Sequence, residues 1–342
     1  MKRATTHDIA TAAGVSLATV DRVLNRRAGV RHQTVERVEA AMAQLNYTRD
    51  PSAAALSRNR SYPILFILPE GTNNFMHLLA DEIADAAQAP AYSRVQVAIR
   101  KVPPFDGPAL AACLAGIDPA ATSGVVAVAT DTPEVREQIA RLRRQQVKVV
   151  TLVSDIAAEY RDYFVGIDNV AAGRTAGRLM GQFLAHRPGK IAVVAGSMRV
   201  KDHVERRLGF DQVIHADFPQ LEVLPSLEGQ DDADLVAGLL QQTFAAHPDI
   251  VGVYSLGAGT RGVISVLKAL SPHQRPTTLA HELTEPSRSA LIDGTLHAVL
   301  NQDARVEVIS AIEAVQQLVD GEKISTALPR PRIEIFLKEN LP

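Results

Sequence analysis

At 342 residues the chain is too long for one ordinary domain and predicts two or three folding units. Its 46% hydrophobic and 22% charged residues are those of a soluble globular protein. It has no run of about twenty apolar residues to span a membrane. The net charge of −2 conceals an asymmetry: residues 1–60 hold ten Lys/Arg against five Asp/Glu (+5), and the remainder 26 against 33 (−7), so a basic head suited to a polyanion precedes an acidic body. Cys113 has no second cysteine with which to form an internal disulfide, which fits a reducing cytoplasm. The opening MKRATTHDIA has basic residues but no apolar run behind them, so no secretory leader is expected.

In chain order, Thr5–Asn25 predicts two short helices joined by a tight turn. Thr5 with Asp8 fits an N-cap, Ile9, Ala10 and Ala13 recur at helical spacing, and Gly14 supplies the turn. Ser16 caps a second helix, in which Leu17, Ala18 and Arg22 point away from Val20 and Val23. That is the helix-turn-helix plan, whose second helix enters the DNA major groove. A third helix is expected from about His32 to Leu45, its Val35, Val38, Met42 and Leu45 closing a small core. The segment DPSAAALSRNRS then reads either as a linker or as a helix that forms only on DNA.

From Tyr62 the texture changes. Short β-rich runs (ILFIL, VQVAI, SGVVAVA, VKVVTLV, FVGI, KIAVVAG, LEVLPS, DIVGVYS, TTLAHE) alternate with helical stretches at 75–88, 107–116, 132–145, 169–185, 201–215, 230–246, 259–270 and 284–292. Alternation of this kind predicts an α/β, doubly wound parallel-sheet architecture, and about ten strands suit two lobes. Ligands of such sheets bind at the carboxyl ends of the strands.

On the motifs DIATAAGVSLATVDRVLN, GVRHQTVERVEAAMAQLNY and PSAAALS, and on the layout of the body, the chain resembles the lactose-repressor (LacI/GalR) family of bacterial transcription regulators. The resemblance implies a three-helix DNA-binding domain over 1–49 and a hinge helix or linker over 50–61. It also implies a two-lobed effector-binding and dimerisation domain over 62–342, similar to periplasmic binding proteins of type I. The N-lobe is expected at about 62–166 and 303–325, and the C-lobe at about 167–302 and 330–342. Base readout falls to Leu17, Ala18 and Arg22, and of these only Arg22 can make a bidentate contact to guanine. Ser16, Thr19, Asn25, Arg31 and Thr34 are expected on phosphates, and Leu56 as a minor-groove wedge that kinks the duplex. Two such wedges imply a homodimer, or a higher oligomer, on a near-palindromic double-stranded operator. Effector contacts are implied at Asn74, Phe75, Asp155, Asn169, Arg206, Glu282 and Gln302. Where many family members carry Asn-Asp this chain has Leu256-Gly257, and where an aspartate often closes the next strand it has His281-Glu282. Asp155 and Glu282 beside Arg206 favour a neutral, hydroxyl-rich ligand, provided the three converge.

Other chemistry has weaker signals. Gly257-Ala-Gly259-Thr-Arg-Gly262, with Glu282 twenty residues on, has the form of a dinucleotide fingerprint, so an NAD-dependent oxidoreductase is a rival reading. No catalytic constellation accompanies it. His281-Glu282-Leu-Thr-Glu285 begins like a zinc-protease motif but lacks the second histidine. A periplasmic sugar receptor is the other alternative, disfavoured by the basic head. The expectation is a cytoplasmic, non-enzymatic regulator, a repressor, controlled by a sugar, polyol or related metabolite, with no metal, no cofactor and no membrane partner.

Overall fold

The computed structural model describes residues 5–24, 29–45, 61–257 and 259–342. They belong to two compact units, Met1–Arg60 and Ser61–Pro342. The expectations for Asn25, Leu56 and the helix around 51–57 lie outside the described residues.

In the first unit, α1 (Thr6–Ala13) opens on a capping box. Thr5 Oγ1 accepts the Asp8 N–H at 3.3 Å while Asp8 Oδ2 accepts the Thr5 N–H at 2.7 Å. Gly14, at φ +62°, ends the helix in the left-handed region where a Cβ is costly. Ser16 Oγ then accepts the Thr19 N–H at 3.2 Å and starts α2 (Leu17–Leu24). After Arg31 comes α3 (His32–Gln44). Ile9, Ala10, Ala13, Val20, Val38 and Ala41 form the core, with Met42 and Leu45 packed at its margin. Val35, expected in that core, is only half-buried.

The first lobe of the second unit runs β1 (Tyr62–Pro69), α4 (Asn74–Gln88), β2 (Val95–Val102), α5 (Gly107–Ala115), β3 (Gly124–Ala127), α6 (Pro133–Arg144), β4 (Lys148–Leu152) and β5 (Tyr163–Val165). Its sheet has the order β2-β1-β3-β4-β5, parallel throughout. The inner strands are apolar on both sides, as burial under helices on both faces requires.

The second lobe comprises α7 (Asn169–Phe183), β6 (Gly189–Ala195), α8 (Lys201–Asp217), β7 (Leu221–Glu228), α9 (Ala233–Ala246), β8 (Ile250–Ser255), α10 (Thr260–Ala269), β9 (Thr277–His281), α11 (Glu285–Ile292) and β10 (Ala298–Asn301). The chain then returns to the first sheet as α12 (Ala304–Val319), which packs on β3, β4 and β5. It ends beside β10 as the antiparallel strand β11 (Glu334–Phe336), giving the order β11-β10-β9-β8-β6-β7. The strand-helix alternation read from the sequence omits β10, α12 and β11. Four apolar-rich residues at β10 carry little periodic signal, and three mostly exposed ones at β11 carry less.

In each sheet the second strand lies on one side of the first and the third on the other (β2-β1-β3 and β7-β6-β8). The order therefore reverses at β1/β3 and at β6/β8, where doubly wound sheets leave a crevice beyond their carboxyl ends. Both crevices open onto one space between the lobes.

Candidate functional site

The two walls of that space come from loops and helix starts beyond the carboxyl ends of the strands. The first lobe supplies Phe75 and Met76 after β1, Phe105 after β2, Val128 after β3, and Val153 and Ser154 after β4. The second supplies Asp202, His203 and Arg206 on α8, Gly257 after β8, Glu282 after β9 and Gln302 after β10. They enclose a cavity of about 60 Å³, room for a handful of hydroxyl-sized groups at roughly 10–15 Å³ each. Its mouth adds Asn74, His281 and the Thr72–Asp231 edge.

Arg206 is the organising side chain, 1% exposed. Its Nε donates to Asn169 Oδ1 at 2.8 Å, its Nη1 to the Leu256 carbonyl at 2.7 Å, and its Nη2 lies 3.5 Å from Glu282 Oε1. The helix beneath it is held unusually close to α7. A Cβ on Gly173 would lie 2.0 Å from the Arg206 carbonyl oxygen, so only glycine permits this approach. Gly257 does similar work on the other side, since a Cβ there would be 2.9 Å from Arg206 Nη1.

Glu282 receives two hydrogen bonds from Gln302, Nε2 to Oε1 at 2.8 Å and backbone N–H to Oε2 at 3.4 Å. Burial pushes its carboxyl up to about 7, against the opposing pull of Arg206 and Gln302. Behind it on α12 stands Glu307, fully buried, raised well above the carboxylate range by burial and by the nearby charge of Glu282. His281 Nε2 lies 2.8 Å from the Tyr254 hydroxyl, and burial, with Arg206 and His203, holds its imidazole neutral.

Two further properties single out this space. Among the described residues, Ser154 Oγ, Asp202 Oδ1, Arg206 Nη2 and Gln302 Oε1 are buried without a hydrogen-bond partner, and all four residues line the cavity. Buried polar atoms are ordinarily paired, so such a cluster marks a place built for something else to bind. Backbone strain collects here too. Phe105, Val153 and Glu282 have φ of +60°, +63° and +69° and line the cavity; Gln230 and Asp231, at +50° and +62°, line its outer edge. A left-handed valine is a genuine outlier, and it turns Ser154 inward through a three-residue turn closed by Ser154 N–H to the Leu152 carbonyl at 2.6 Å.

The lobes are latched at the rim. Asn73 Nδ2 donates to Asp231 Oδ2 at 2.8 Å, Arg261 Nη2 to the Thr72 carbonyl at 3.0 Å, and Lys201 Nζ reaches Asp155 Oδ2 at 3.5 Å.

Of the residues expected to meet an effector, the structure brings Phe75, Arg206, Glu282 and Gln302 together on the cavity and Asn74 to its mouth. Asn169 sits behind Arg206 and accepts from it. Asp155 is not among the lining residues. Arg161 grips both its oxygens, at 2.6 and 2.8 Å, and Thr151 Oγ1 donates at 2.6 Å; these bonds outweigh burial and hold the carboxyl below its usual range. Asp155 therefore does not converge with Glu282 and Arg206, and the carboxylate that does is Asp202. Asp202 stands one helical turn before Arg206, an i, i+4 spacing that the sequence displays. The glycines of the 257–262 loop are accounted for by packing: Gly257 against Arg206, and Gly262 against the Ala233 carbonyl, 2.3 Å from where its Cβ would be.

In the first unit, Ser16, Leu17, Ala18 and Arg22 form an exposed face on α2, Leu17 at 40%. Arg31 is also exposed, and Thr19 and Thr34 are partly so. The Arg31 side chain makes no hydrogen bond at the start of α3. Within the second unit, and among the described residues generally, no helix is long and apolar enough to cross a membrane.

A two-lobed sheet pair enclosing a polar, strained cavity defines a class of ligand-binding protein, and the comparisons agree. Residues 64–323 match the periplasmic binding protein domain, and residues 5–50 match the lacI family of bacterial regulatory proteins. The chain belongs to the periplasmic binding protein domain family and carries a lacI-family helix-turn-helix at its head. The ribose operon repressor of Bacillus subtilis (strain 168) is 44% identical over 89 residues, 26% of this chain and 27% of that protein. The alignment thus spans about a quarter of that relative's length. Among solved structures, a solute binding protein of an ABC transporter from Burkholderia graminis, in complex with D-arabinose, superposes with a TM-score of 0.73 at 19% identity, covering 82% of this chain and 96% of that one. A LacI transcriptional regulator from Bacteroides fragilis gives 0.71 at 16% identity, covering 82% and 98%.

Proposed function

We propose that this chain is a cytoplasmic, dimeric DNA-binding transcription regulator, a repressor, whose DNA affinity is set by a sugar, polyol or related metabolite enclosed between the lobes. The observation that carries the reading is the set of four buried polar atoms without partners around one interlobe cavity, in a chain whose head matches the lacI family. The apolar wall formed by Phe75 and Phe105 suits the face of a ring, and Ser154, Asp202, Arg206 and Gln302 suit its hydroxyls. Asp202 and Glu282 discriminate against an anionic ligand. The ribose operon repressor's name and the arabinose in the Burkholderia structure support a monosaccharide.

At the head, Arg22 reads a guanine, Leu17 and Ala18 touch thymine methyls, and Ser16, Thr19, Asn25, Arg31 and Thr34 hold phosphates, with Leu56 the minor-groove wedge. Closure on the effector changes the spacing of the two heads and so the operator affinity.

Selection of duplexes from a random pool by the full chain tests the DNA half, and anisotropy titration of the winning duplex with and without a sugar and polyol panel tests the control. A near-palindromic winner whose affinity shifts with one sugar is the expected result. Arg22→Ala should relax one base position per half-site, a loss of about 1–3 kcal/mol of discrimination. A pool that stays unenriched contradicts the reading.

A further inference from the structure

The hydrogen-bonding inventory of the cavity is lopsided. Gln302 spends its Nε2 on Glu282, so the Oε1 left free is an acceptor only. Asp202 Oδ1 is a second acceptor without a partner among the described residues. His203 Nδ1 lies 3.0 Å from the Ser197 carbonyl oxygen, which can only accept. The same nitrogen lies 3.3 Å from the Ser197 N–H, which can only donate, so the ring fixes no tautomer and Nε2, 3.7 Å from Asp202 Oδ2, adds nothing to the count of acceptors. Against these stand one donor without a hydrogen bond, Arg206 Nη2, which is ion-paired to Glu282 at 3.5 Å, and the hydroxyl of Ser154, which serves in either sense.

Charge runs the same way. Asp202 and Glu282 face the cavity; the one guanidinium, Arg206, lies 3.5 Å from Glu282, burial keeps Glu307 behind it protonated, and Asp202 has no Lys or Arg partner among the described residues. Lys201, the other cation nearby, is directed at Asp155 and Glu205, at 3.5 and 3.8 Å. Neither oxygen of Glu307 has a hydrogen-bond partner among the described residues. The hydroxyls of a neutral sugar could donate to both acceptors but would leave the Asp202 carboxylate without a counter-charge; one ammonium group would supply the donors and the positive charge together.

We propose that the effector bears a protonated amine, as an amino sugar or aminopolyol does, and that Asp202 Oδ1 and Gln302 Oε1 receive it. This rests on reading the cleft as the effector site. The amine would lie beside α8, with Arg206 Nη2 and Ser154 Oγ left to bind ring oxygen and hydroxyls.

Titration calorimetry of the full chain with glucosamine, galactosamine and mannosamine, each beside its parent hexose and its N-acetyl derivative, is the test. The expected result is one hexosamine that binds at least tenfold more tightly than its parent and than its uncharged N-acetyl form. In Asp202→Asn, shown folded by its melting curve, the preference for the amine over its parent should shrink to within about twofold. Because the parent comparison is made on the unmutated chain, the proposal stays testable even if the variant unfolds. A parent sugar that binds as tightly as its amine overturns the amine while leaving the sugar cleft standing. If no compound binds, the cleft reading fails and the amine with it.

Discussion

The two walls of the cleft are built from opposite chemistry. The first lobe presents Phe75, Met76, Phe105, Val128 and Val153 with two polar residues, Asn73 and Ser154; the second presents Asp202, His203, Arg206, Glu282 and Gln302 with Val200 and one glycine gap. An apolar wall gains free energy from whatever ring it covers and discriminates little. A wall of buried charges and amides gains only from a matching pattern, because any group left unpaired there costs about 1–3 kcal/mol. Affinity and selectivity are thereby assigned to different lobes, which meet across one cavity.

The largest effect should come from Arg206→Ala. It leaves Glu282 and the Asn169 amide oxygen buried without their partner, at a cost of about 3–5 kcal/mol in stability and with loss of ligand binding. A denaturant midpoint close to that of the unmutated protein would deny the charged wall its ordering role. Arg206→Lys should not restore binding, since an ammonium cannot span Asn169, Leu256 and Glu282 at once.

Glu282→Gln sharpens the same wall through pH. With a folded value near 7 and an ordinary value of 4.5, Glu282 holds its proton longer in the folded state. Its contribution is fully present below about pH 4.5 and declines as pH rises through about 7, by about 3 kcal/mol in total at roughly 1.4 kcal/mol per unit. Melting temperatures across that window should fall more steeply for the unmutated chain than for the variant. Parallel curves would remove Glu282 from the account.

On the apolar wall, Phe75→Leu keeps most of the burial but loses the flat face. Affinity for every sugar tested should fall by about 1 kcal/mol, with their ranking unchanged. A changed ranking would give the first lobe a part in selectivity. The smallest effect belongs to the rim, where Asp231→Ala deletes the hydrogen bonds to Asn73 and to the Gly259 N–H. Small-angle scattering should show a more open body, with ligand affinity lowered a few-fold.

Legibility in the sequence follows how local each signal is. The head's caps and turn are written within twenty residues, and the β–α alternation is read from neighbouring positions. The partners of buried polar groups are not. A carboxylate after a strand reads the same whether it meets a ligand or Arg161, and Asn169 finds Arg206 37 positions away. Phe75, Arg206, Glu282 and Gln302 are named by the family resemblance rather than by any local pattern. Asp202 could have been drawn from its one-turn spacing to Arg206, but the inward Ser154 and Phe105 depend on left-handed turns at Val153 and Phe105 that no residue type announces.

The central claim is that the cleft and the head share one equilibrium. Titration calorimetry of the effector against the full chain, with and without saturating operator duplex, tests it directly. Linkage requires the duplex to change effector affinity by the same factor by which the effector changes duplex affinity, on the order of 5–150-fold. An effector that binds equally well to the free and the DNA-bound chain would contradict the account.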